Sequence, residues 1–135
     1  MANGSNQQWG LTVLRVIVGI VFLVHGAQKL FVFGFHGVAG MLGGRGIPVP
    51  AVSAVILTLV EFLGGIALIL GVVTRWASAL IAIDMMVAVL LVHLKNGFFN
   101  PKGYEYPLTL LAACIALILS GPGAASVDGA MAKRT

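Results

Sequence analysis

Four apolar runs, at about residues 10–31, 51–72, 76–94 and 104–121, set the pattern of this chain. Roughly 20 helical residues at 1.5 Å each span a hydrocarbon core of about 30 Å, so each run has the length of a transmembrane helix or nearly so. The fourth is the shortest and is stopped by Gly121-Pro122-Gly123. The connections fit this division. Gly71 to Arg75 leaves room only for a tight helical hairpin, and Lys95 to Gly103 is polar and rich in turn residues. Val32 to Pro50 carries six glycines, and within it Phe35 to Leu42 reads as a short interfacial or re-entrant helix. Short links between antiparallel neighbours predict an all-α, four-helix up-down-up-down membrane bundle.

Within the runs, small and polar residues recur at helical spacing. Arg15, Gly19, Phe22, Gly26 and Lys29 form one such stripe. Ala54, Thr58, Glu61 and Gly65 form another. In lipid, such stripes mark the faces on which helix backbones approach closely.

Composition agrees with lipid as the solvent. At 135 residues the chain has room for one domain, and 59% hydrophobic against 9% charged residues is more apolar surface than a small soluble domain can hide. The net charge of +4 comes from singly scattered cations, which suits lipid headgroups and argues against nucleic acid as a partner. Cys114 stands alone in an apolar run, so neither an internal disulfide nor dithiol chemistry is available. Met1 to Gly10 holds no Lys or Arg and no small-residue cleavage site follows the first run, which reads as a retained helix.

The topology places both ends of the chain and the Gly71–Arg75 hairpin on one side, termed side A. Side A carries Arg75, Lys133 and Arg134, with Arg15 near it; the opposite side B carries Lys29, Arg45, Lys95 and Lys102. This balance leaves the orientation in the membrane open.

Ionisable groups inside the spans cost a few kcal/mol each, so they point to pairing or to a cavity. Counted from side A by helix rise, Arg15 lies about 9 Å deep, Asp84 about 13 Å and Glu61 about 16 Å. These three are expected to form one intramembrane charge network, either fixing helix register or relaying protons, because two carboxylates at one depth need a cation. A second cluster nearer side B comprises His25, Gln28 and Lys29 from the first span, His93 and Asn96 from the third, and Tyr104, Glu105 and Tyr106 from the fourth. It reads as interfacial anchoring or as a pocket for a polar head such as a quinone or small anion, with Lys29 and Glu105 as an expected ion pair. Haem between His25 and His93 is disfavoured, and no ligand spacing supports a metal site. Asp84 and His93, nine residues apart, fall on opposite faces of an ideal helix and cannot share one interior without a distortion.

Taken in order, several motifs resemble the DoxX family of small bacterial membrane proteins. They are Leu14-Arg15, His25-Gly26-x-Gln28-Lys29-Leu30, Gly46-Ile47-Pro48, Glu61-Phe62-Leu63-Gly64-Gly65 and Thr74-Arg75. His93-x-x-Asn96-Gly97-Phe98-Phe99, Gly103-Tyr104-Glu105-Tyr106-Pro107 and Gly121-Pro122-Gly123 complete the set. The resemblance implies a multi-pass protein of the bacterial inner membrane with both termini in the cytoplasm, tied to thiol, sulfur or quinone redox balance. Relatives include the small membrane subunit of a thiosulfate:quinone oxidoreductase. It implies as expectations a membrane subunit or scaffold of a redox complex with soluble redox partner proteins, or a self-contained quinone-dependent oxidoreductase; Arg15, Glu61 and Asp84 as a relay add a third, a small-molecule or proton-coupled transporter. The sequence decides neither catalysis nor assembly into a homo-oligomer. No nucleophile-plus-base set or dithiol is present, which favours the first.

Overall fold

In lipid every backbone N–H and C=O has to be satisfied within its own segment, and apolar runs therefore fold as helices. The computed structural model of the protein describes residues 4–135 and bears this out. Helix α1 spans Gly4–Ala27 and runs into a π-helical turn, Gln28–Phe33. Helix α2 (Gly34–Gly44) comes next, then α3 (Pro50–Leu70) and α4 (Thr74–Val87). A second π-helical turn, Ala88–His93, and a single 3-10 turn, Leu94–Asn96, extend α4. Helix α5 covers Glu105–Ser120 and the short α6 covers Val127–Ala132. Three of these segments are long and apolar enough to cross a membrane, and α5 is a shorter apolar helix, completing the four-helix membrane bundle.

The helical stretch expected at Phe35–Leu42 is α2. Gly34, with φ 70° and ψ 164°, breaks the chain away from the preceding turn; this combination is open to glycine and strained for other residues. Val38 and Leu42 of α2 are buried with Ile47 and Ala54, forming an apolar cluster at the side B end. A larger cluster joins Val18 and Phe22 of α1, Leu68 of α3, Ile81 and Met85 of α4, and Cys114 and Leu117 of α5.

Packing is uneven. Helix α1 lies most extensively on α3 and α4 on α5, while α3 and α4 touch less although a tight turn joins them. The two predicted stripes meet at the α1–α3 interface through Gly19, Gly26 and Gly65, and Arg15, Phe22, Ala54, Thr58 and Glu61 along them are buried. Backbones touch at those glycines. A Cβ on Gly19 would lie 2.8 Å from the Ile69 amide nitrogen, and one on Gly26 or Gly65 would overlap the backbone of Phe62 or Leu23. Outward, Val13, Ile17, Ile20 and Val24 make an exposed apolar stripe on α1, as a lipid-facing surface requires.

The side A end is closed by the C-terminal segment. Thr12 Oγ1 accepts a hydrogen bond from Ala124 N at 2.9 Å, which brings the first turns of α1 and the chain after α5 to one end of the bundle. Asp128 accepts from the Val73 and Thr74 amides, both at 2.8 Å, capping the N-terminus of α4. Trp9 and Trp76 are exposed at this end, while Phe99 and Tyr106 are exposed at the other, giving aromatic residues at both interfaces.

Candidate functional site

The charged residues of the interior do not pair as the sequence reading expects. Arg15 is 1% exposed, yet its guanidinium meets neither Glu61 nor Asp84. It donates to the carbonyls of Pro122 and Ala125, the latter at 2.6 Å, and so ties down the chain that leaves α5. The reason is one of depth: Arg15 lies nearer side A than the carboxylates, and the carbonyls freed beyond the end of α5 come closer. The cation that joins the carboxylates is Lys29, whose Nζ lies 2.7 Å from Glu61 Oε2. Asp84 lines the same cavity as Glu61 and Lys29, within electrostatic reach of both. Its Oδ2 is buried without a hydrogen-bond partner among the described residues.

The expected Lys29–Glu105 pair is likewise absent among the described residues. Glu105 opens α5, and its carboxylate turns back to accept the Asn100 amide at 2.8 Å. Lys29 is spent deeper, on α3.

Lys29, Glu61 and Asp84 face a cavity of about 490 Å³ between the two apolar clusters. His25, His93 and Tyr106 line it too, so members of both polar groups named from the sequence share one space. Its floor includes Phe22, Met85 and Leu110; α2 covers the side B end with Val38, Met41 and Leu42. Ile56, Leu80 and Ile83, all more than half exposed, border it where α3 and α4 part, so the cavity opens sideways toward lipid.

Asp84 and His93 line the same cavity because of the turn at Ala88–His93. Nine steps of about 100° put two residues on opposite faces of an α-helix. A π-helical turn takes up one extra residue, rotating the residues beyond it back by about 100° and bringing His93 round to the Asp84 side. Lys29 is the second residue of the other π-helical turn. Both distortions border the cavity.

The remaining candidates lie elsewhere. Gln28 is exposed and does not line the cavity. Asn96, Tyr104 and Glu105 build the loop that closes the side B end. Asn96 Nδ2 donates to the Lys102 carbonyl at 3.1 Å, His93 Nδ1 lies 3.0 Å from the same oxygen, and Tyr104 packs edge-on against Phe98. Sequence reasoning missed Arg45 and Ser53 as cavity residues and Asp128 as a helix cap. No periodicity marks Arg45, which lies beyond α2. Asp128 carried a signal in Ser126-x-Asp128 opening a short helix after a Gly-Pro-Gly stop.

The arrangement can hold a flat, mostly apolar molecule against the α3–α4 walls, offering an ammonium donor, carboxyl acceptors and imidazoles on one edge. Comparison with known proteins fits a membrane setting. The family model described as DoxX matches residues 10–94. The chain is 34% identical to the Bacillus subtilis protein named "Putative oxidoreductase CatD", over 80% of this chain and 78% of that one. It is 33% identical to "Uncharacterized membrane protein Rv3486" of Mycobacterium tuberculosis, over 90% of this chain and 80% of the relative. With "Inner membrane protein YphA" of Escherichia coli it shares 25% identity over 87% of each chain. No solved structure matches the chain.

Proposed function

The chain belongs to the DoxX family of membrane proteins, and from that premise we propose that it is an inner-membrane redox subunit whose cavity takes the ring of a lipid-dissolved quinone. The observation that carries this reading is the Lys29–Glu61 ion pair, with Asp84 on the same wall, in a mostly apolar cavity that opens to lipid. Such a site receives its ligand from the bilayer and meets it with an ion pair at mid-depth and with Arg45 at the exposed side B rim. The name of the CatD relative, an oxidoreductase, supports a redox role.

The chemistry rests on charge. At mid-depth one ammonium faces two carboxyls, Arg45 being exposed at the side B rim, and burial in lipid asks for one further positive charge there, which a proton held on the carboxyl pair supplies. Reduction of a quinone to a quinol takes up one proton for each of its two electrons. In this reading a soluble donor protein supplies the electrons, and the chain supplies position and protons. Lys29 donates a hydrogen bond to a quinone oxygen, the Glu61–Asp84 pair passes a proton to it, and His25 and His93, nearer side B, reload the pair.

Titration of the protein in lipid nanodiscs with a decyl-substituted benzoquinone tests this. Binding stabilises the fold in proportion to the logarithm of ligand concentration over Kd, and the melting temperature should rise accordingly. Glu61→Gln and Asp84→Asn should each weaken binding by about tenfold, the scale of one hydrogen bond to a charged group. Absence of binding, or binding by both variants equal to that of wild type, would refute the assignment.

A further inference from the structure

A second, shallower recess lies on the outer face of α3 and α4 and holds about 350 Å³. It adjoins the charged cavity: Val60 and Leu80 form part of the wall of both. From there it runs toward side A past Gly64 and Ala67 of α3 and ends at Trp76 of α4. Val60 to Ala67 is seven residues, or about 10 Å of groove. The recess exists because small side chains line its depth. Gly64 lets Ile81 pack directly on the α3 backbone, where a Cβ would lie 2.9 Å from Ile81 Cδ1, and Ala67 and Ala77 both line the recess, while the exposed Leu63 and Leu80 form its banks.

We infer that the cavity's ligand carries a hydrocarbon tail that lies in this groove, leaving the ring at Glu61 and Asp84 and passing over Gly64 and Ala67 toward side A. The inference rests on the quinone reading and adds the position and direction of the tail. Three features support it. The groove has no charged residue among its walls. It lies directly beside the charged cavity that opens to lipid, with Val60 and Leu80 lining both. It also runs along the helices and so along the bilayer normal, and a molecule with its polar ring at mid-depth extends its tail here without leaving the protein surface. Ala67 would then set specificity for tailed against tailless ligands.

The test pairs two probes with two variants in nanodiscs. Methyl-substituted and decyl-substituted benzoquinones are titrated into wild type, Ala67→Leu and Ala67→Phe, with the melting shift and calorimetric heat as readouts. Filling the groove should weaken the decyl probe by about tenfold in Ala67→Phe and by less in Ala67→Leu, the loss of contact with a few methylenes. The methyl probe should bind all three proteins alike, which also shows that the variants are folded. If Ala67→Phe and Ala67→Leu both bind the decyl probe as wild type does, the groove holds ordinary acyl chains and the tail lies elsewhere. If both probes weaken together, Ala67 acts on the fold and the inference fails while the ring site stands. Should neither probe bind wild type, the quinone reading itself is lost and the tail with it.

Discussion

The ammonium of Lys29 lies 2.7 Å from the carboxylate of Glu61, just beyond the long contact between α1 and α3. The pair ties a residue of a π-helical turn to the middle of a transmembrane helix, with side-chain exposures of 19% and 5%. Lys29→Met therefore removes the cation that faces both carboxyls, and the bundle should lose about 3 kcal/mol of stability at neutral pH, the scale for breaking a buried pair from one side. Lys29→Met/Glu61→Leu should recover most of the loss, because Asp84 alone can stay neutral. Denaturation in mild detergent measures both; equal losses in the single and double variants would show that Lys29 acts through packing instead.

Gly26 and Gly65 meet the backbones of Phe62 and Leu23, with no room for a side chain. Gly26→Ala and Gly65→Ala should each cost about 1–3 kcal/mol by overpacking, and the two together more than either. Thermal unfolding in nanodiscs reads the effect. A neutral result at both positions would place the α1–α3 contact elsewhere.

Asp128 caps α4 from a segment more than fifty residues away in sequence. Asp128→Ala should cost about 1 kcal/mol, as the loss of a helix cap does, and should free the chain after Gly121. Limited proteolysis should then cut between residues 122 and 132 faster than in wild type. An unchanged digestion pattern would mean that Arg15, through the Pro122 and Ala125 carbonyls, and Thr12, through Ala124, hold the segment without Asp128.

The π-helical turn at Ala88–His93 supplies a further test. Deleting Leu91, which is half exposed, should remove the extra residue and leave a regular α-helix with His93 eight steps from Asp84, still on the cavity side. The protein should still fold and bind decyl-benzoquinone about as wild type does, whereas His93→Ala should reduce affinity by about tenfold, the worth of one well-placed polar contact. Retained affinity in His93→Ala would remove His93 from the site.

Much of the bundle was legible because its rules are local. Apolar run length marks the four helices, and stripes at intervals of three and four residues mark the α1–α3 contact, since both are properties of neighbouring residues on one helix. The charge pairing was less legible. Arg15 spends its two terminal nitrogens on carbonyls more than a hundred residues away, and nothing in its own surroundings announces them. Lys29 could reach Glu61 or Glu105 equally well on an ideal helix, and the π-helical turn that positions it has no sequence signature. One clue to such turns was present: Asp84 and His93 sit nine residues apart and could share an interior only if the helix were distorted. The structure places that distortion between them.

Photolabelling addresses most directly the claim that a lipid-borne ligand reaches Lys29, Glu61 and Asp84 through the gap between α3 and α4. An azido-substituted decyl-benzoquinone is irradiated with the protein in native membranes, and the labelled peptides are mapped by mass spectrometry, with unlabelled quinone as competitor. The expected adducts fall between residues 53 and 67 of α3 and between residues 76 and 93 of α4 and its π-helical extension, and they disappear with competitor. Label spread over the lipid-facing stripe of Val13, Ile17, Ile20 and Val24, unaffected by competitor, would contradict the site.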